Sequence, residues 1–118
     1  MKRLALLTAM VASLVCGAAA SGNSVLGLRA GTATVQAYSS SNHYIAYRGG
    51  EVARFSVVGD GFTTLNARLY DQSGRLVNFT TGPGDRILLT WVPSSTQTYR
   101  IEIINEGSTF NNYGWATN

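Results

Sequence analysis

Cysteine, histidine and lysine are nearly absent from this chain, and each shortage removes a class of chemistry. The one cysteine is Cys16, the one histidine is His43, and the one lysine is Lys2. Beyond residue 20 there is no thiol, so neither a disulfide nor a thiolate metal site holds that part together, and its stability rests on a packed apolar core. A Ser-His-acid triad would have to be built on His43. No G-x-S-x-G nucleophile turn occurs, and the Ser39-Ser40-Ser41 run beside His43 reads as a solvated lead-in. Acidic residues number six, and most of them stand in turn-like positions; Glu102 alternates outward on a strand beside Arg100. No glycine-rich phosphate loop leads from a strand into a helix.

The N-terminus is different in kind. Lys2 and Arg3 give a positive start, Leu4 to Val15 is apolar apart from Thr8 and Ser13, and Gly17-Ala18-Ala19-Ala20 precedes the polar Ser21. This is the order of a secretory signal peptide, with cleavage expected after Ala20. The apolar run falls short of the ~20 residues a membrane-spanning helix needs. Cys16 lacks the flanks of a lipid-attachment site, since Ser13 and Val15 stand where a leucine-like and a small residue are wanted. The expected organisation is a leader over 1–20, a polar lead-in over 21–40 and one domain over 41–118. Of the nine Lys and Arg, Lys2 and Arg3 belong to the leader, leaving seven arginines against six carboxylates, a net charge of +1. The arginines are scattered, and no cluster tracks a phosphate backbone, which speaks against nucleic acid as a partner.

The remainder reads as all-β. Val52 to Val58, Leu65 to Tyr70, Arg86 to Val92 and Gln97 to Asn105 alternate apolar and polar residues with period two. Tyr44 to Arg48 and Tyr113 to Thr117 are fainter strand candidates. Gly49-Gly50, Gly59-Asp60-Gly61, Asp71-Gln72-Ser73-Gly74, Gly82-Pro83-Gly84-Asp85 and Asn105-Glu106-Gly107 supply turn residues between them. Strands at this spacing, with no amphipathic helical run after the leader, predict an antiparallel β-sandwich whose two apolar faces pack together.

Residues 48–61 (RGGEVARFSVVGDG) resemble a strand-and-turn block of bacterial pre-peptidase C-terminal (PPC) domains. Residues 65–77 (LNARLYDQSGRLV) look like that family's L-D-L-Y-V-Y-D-x-x-G-x-L-V hairpin. Thr90-Trp91-Val92-Pro93, Tyr99 to Ile103 and Asn105-Glu106-Gly107 are similar to its W-x-P … Y-x-I-x-V-x-N-x-G tail. The resemblance covers residues 44–118. It implies a jelly-roll-like β-sandwich, exported and non-catalytic, of the kind that accompanies a secreted enzyme as an accessory module. Some relatives carry a D-x-D-L-D segment suited to Ca²⁺, but here Phe62, Thr64 and Asn66 stand where carboxylates are wanted. Asp60, Asn66 and Asp71 are the remaining candidates, and they fall short of the six to eight oxygens that Ca²⁺ takes. No metal or cofactor is expected.

Two functional readings follow, with a small secreted hydrolase as a third. One is a module that binds an exported protein or a cell-envelope component, with Tyr70, Arg68 and Tyr47 as surface candidates. The other is a carbohydrate-binding module, which requires at least two coplanar exposed rings among Tyr44, Tyr47, Tyr70 and Trp115. Trp91 and Tyr99 take the apolar phase of their strands and are expected in the core. Asn78-Phe79-Thr80 fits a glycosylation sequon.

Overall fold

The computed structural model describes residues 24–118. The expected leader, its cleavage point and Cys16 lie outside the described residues. Eight strands follow one another: β1 (Arg29–Val35), β2 (Ser40–Tyr47), β3 (Ala53–Val58), β4 (Leu65–Tyr70), β5 (Leu76–Phe79), β6 (Arg86–Trp91), β7 (Gln97–Asn105) and β8 (Asn111–Thr117). They form two four-stranded antiparallel sheets, ordered β1-β8-β3-β6 and β2-β7-β4-β5. Successive strands from β1 to β6 come in pairs that cross between the sheets, and β7 and β8 insert between earlier strands. That interleaving is the jelly-roll arrangement, the fold class the sequence predicts. Among the described residues no helix is long and apolar enough to cross a membrane.

The period-two pattern does what it should. In β6 exposed and buried residues alternate strictly, and in β7 Tyr99, Ile101, Ile103 and Asn105 point inward while Thr98, Arg100, Glu102 and Ile104 point out. Phe55, Val57, Leu65, Leu69, Leu89 and Ile101 fill the space between the sheets, each worth ~2 kcal/mol of burial. One end of that core is aromatic. Tyr47, Trp91 and Tyr99 meet at ring-centroid distances of 4.9–6.0 Å with tilted or edge-on geometry, the arrangements that ring quadrupoles favour.

Two strands lie outside the period-two reading. The segment expected as a polar lead-in over 21–40 contributes β1, which pairs along its whole length with β8. Two of its inward residues, Gly31 and Ala33, are small, and β8 supplies the bulk there: Gly31 faces Trp115, and a Cβ at Gly31 would lie 3.1 Å from the indole ring. Ser24 bridges to Tyr47 and donates its backbone N–H to Asn118. The other is β5, a short edge strand set against β4 with a bulge at Leu69/Tyr70, which the period-two pattern did not mark although the hairpin resemblance of residues 65–77 implied a pairing there. Asn78 points inward there. Its Oδ1 accepts the Phe79 N–H and its Nδ2 donates to the Thr90 carbonyl of β6, so one side chain ties together the open edges of both sheets.

Candidate functional site

The outer face of the β2-β7-β4-β5 sheet carries an interacting set of polar and aromatic side chains. Ladder register places Tyr44 opposite Arg100 on one side and Tyr70 opposite it on the other. The Arg100 guanidinium lies over the Tyr70 ring, 4.1 Å from its centroid, and donates from Nη1 to Asn42 Oδ1 at 3.0 Å. The Tyr70 hydroxyl donates to Glu102 at 3.5 Å. In the next row Arg68 sits between Glu102 and Phe79. The Arg68 side chain makes no hydrogen bond or ion pair among the described residues. Beside it a shallow cavity of about 310 Å³ is lined by Arg68, Tyr70, Leu76, Phe79, Ile104 and Glu106, among others. Glu106 accepts a hydrogen bond from Asn66.

The surface candidates therefore separate. Tyr70 and Arg68 share this face, as their outward phase predicts. Tyr47 does not. It is fully buried in the aromatic end of the core, with its hydroxyl 2.6 Å from Thr117 Oγ1, and burial pushes its ionisation upward. The misplacement has a local cause: Tyr47 has the phase of Ile45, which packs inward, and of the two tyrosines on β2 only Tyr44 takes the outer phase. Arg100, which organises the face, was not among the sequence candidates. Its partners come from β2 and β4, which are remote in sequence, so no local signal marks it.

The ring platform that the carbohydrate reading required is not assembled from those four residues. Tyr44 is 66 % exposed, but Arg100 covers one face of Tyr70, Tyr47 is interior, and Trp115 stacks on Phe55 at 5.6 Å and 12°. Trp91 and Tyr99 are in the core, as expected.

His43 belongs to the inward phase of β2, half-buried among Phe55, Tyr113 and Trp115. Its Nε2 lies 2.7 Å from the Tyr113 hydroxyl, which is also 2.5 Å from Ser41 Oγ. A phenol thus stands between serine and imidazole, where a triad needs a direct Ser–His bond and an orienting carboxylate. Burial pulls the imidazole down to about 4, so it is neutral at physiological pH, and burial also raises the Tyr113 phenol. Arg29 lies over the outer part of this cluster, 5.9 Å from the Trp115 ring.

The calcium candidates do not converge. Asp60 and Asp71 flank β4 at opposite ends, about 20 Å apart for six extended residues. Asp60 accepts from the backbone N–H groups of Phe62 and Asn112. Asp71 accepts from Ser73 and from the Arg75 N–H and pairs with the Arg75 guanidinium at 3.4 Å; the Ser73 hydroxyl bond is the main reason its carboxyl is held below the usual range. Asn66 is engaged with Glu106. These residues do not fit a Ca²⁺ ion, and among the described residues no three His, Cys, Asp or Glu side chains gather in a metal-binding group.

No protein-family model matches the chain, and no curated protein matches it in sequence. Solved structures do match in fold. A periplasmic inhibitor of g-type lysozyme from Aeromonas hydrophila superposes with a TM-score of 0.58 at 10 % identity, covering 84 % of this chain and 88 % of its own. The pre-peptidase C-terminal domain of a Bacillus anthracis collagenase gives 0.54 at 9 % identity over 75 % and 88 %. The Yersinia pseudotuberculosis-derived mitogen gives 0.54 at 14 % identity over 77 % and 84 %. The jelly-roll β-sandwich that the resemblance to PPC domains implied is thus the fold this chain adopts, shared with a solved PPC domain.

Proposed function

We propose that this protein is an exported, non-catalytic module that binds a protein partner through the outer face of the β2-β7-β4-β5 sheet. The observation that carries the reading is the row Tyr44–Arg100–Tyr70, together with Arg68 and the shallow cavity beside it. Tyrosine and arginine dominate binding energy at protein interfaces. Stacking on Tyr70 also holds Arg100 in place before any partner arrives, which lowers the ordering cost of association. That a periplasmic lysozyme inhibitor and a PPC domain share the fold supports the exported, non-catalytic part of the reading. His43 supports it too, since its imidazole is tied to the Tyr113 hydroxyl rather than to a serine and an orienting carboxylate.

The test is affinity capture with the purified protein against periplasmic and culture-medium fractions, wild type beside Arg100→Ala. A defined protein retained by the wild type and lost from the variant supports the reading. Nothing retained above background in either fraction, or equal retention by both proteins, counts against it.

A further inference from the structure

The outward residues of β4, β5 and β7 fall into rows across their sheet. The ladder sets Arg100, Tyr70 and Leu76 in one row and Glu102, Arg68 and Phe79 in the next, with Ile104 and Asn66 in a third. Charges on either side of the middle row are engaged: Arg100 stacks on Tyr70 and donates to Asn42, and Glu106, beyond Ile104, accepts from Asn66. The middle row is different. Arg68 and Glu102 stand directly opposite each other, where opposite charges attract across a ladder. No ion pair joins them, and Glu102 accepts from the Tyr70 hydroxyl instead. The Arg68 guanidinium is left exposed at the wall of the cavity of about 310 Å³. Leu76 (45 % exposed), Phe79 (57 %) and Ile104 offer apolar surface beside it.

We infer, on the reading of this face as a protein-binding surface, that the partner is recognised by a carboxylate set next to an apolar side chain. The carboxylate pairs with Arg68, and the apolar group seats on Leu76, Phe79 and Ile104. A protein that covers the cavity takes water away from Arg68, and a desolvated guanidinium without an acceptor is strongly unfavourable. Glu102 is held by the hydroxyl of the same ring that positions Arg100, so drawing it over to Arg68 would loosen the neighbouring row. The acceptor therefore comes from the partner. A carboxylate fits the planar guanidinium with two oxygens side by side. Glu102 and Glu106 nearby repel a doubly charged group such as a phosphate more than a single carboxylate.

Selection of a phage-displayed library of random twelve-residue peptides on the immobilised protein tests this. Peptides enriched on the wild type carry Asp or Glu close to a large apolar residue. Synthetic copies bind about tenfold more weakly when that acid is replaced by its amide, and about tenfold more weakly to Arg68→Ala than to the wild type. The two losses do not add, because both break the same pair. Arg68→Glu, used as the target in its turn, enriches Lys or Arg in place of the acid. Enriched peptides without an acid, or with one whose replacement costs nothing, would mean that Arg68 closes onto Glu102 under the partner, and overturn the inference. Peptides that bind the wild type and Arg68→Ala equally but no longer bind Arg100→Ala also overturn it, and leave the protein-binding reading standing. No enrichment at all, or binding indifferent to both Arg68→Ala and Arg100→Ala, overturns the two together.

Discussion

His43 and Asn105 show how much single polar residues determine in this fold. His43 has a folded value of about 4 against 6.5 for the free imidazole. Between those values the unfolded chain binds a proton that the folded chain refuses, so stability falls as pH is lowered from about 6.5 to 4 and is level with respect to this group below that. The loss is at most about 3 kcal/mol. Urea unfolding across pH 4 to 7 should show this slope in the wild type and a flatter profile in His43→Gln; identical profiles would mean that His43 does not titrate this way. Asp71 acts in a lower window, because its depressed carboxyl adds stability that disappears only as pH falls through its own range. Asn105→Ala strands three carbonyls and the Gly107 N–H, and should lower stability by about 2–4 kcal/mol. A urea midpoint unchanged by that substitution would contradict the role assigned to this amide.

Strands and turns were legible in the sequence where a buried face leaves a period-two mark. β4 and β7 begin and end where the alternation does, and β3 and β6 lie within a residue of it. β1 left no such mark, because two of its inward positions, Gly31 and Ala33, are small and are filled from across the ladder by Trp115 and Tyr113, and Val35 is its one large apolar inward residue. β5 left none because it is an edge strand with little buried surface. The turn glycines were readable as turns, but their individual reasons were not. A Cβ at Gly49 would come within 2.6 Å of the Ser95 backbone, whereas Gly74 has open space and a φ of +88°. Gly49→Ala should therefore cost about 2–3 kcal/mol through overpacking and Gly74→Ala only about 1 kcal/mol through backbone strain. Thermal midpoints of the two variants rank them; the reverse order would refute the steric account.

At the scale of the whole molecule, the fold follows from the sequence and the candidate binding face only half does. The outward phase of Tyr70 and Arg68 was readable from β4 alone. Arg100 becomes their organiser only when β7 inserts between β2 and β4, a pairing between segments more than 25 residues apart. The molecule that results turns a tyrosine–arginine sheet face to solvent, with His43 half-buried between the sheets. Hydrogen–deuterium exchange on the protein with and without its captured partner tests the central claim most directly. The account predicts slowed exchange on β4, β5 and β7 upon binding, with β1 and β8 unchanged. Protection confined to β1, β8 and β3 would contradict it.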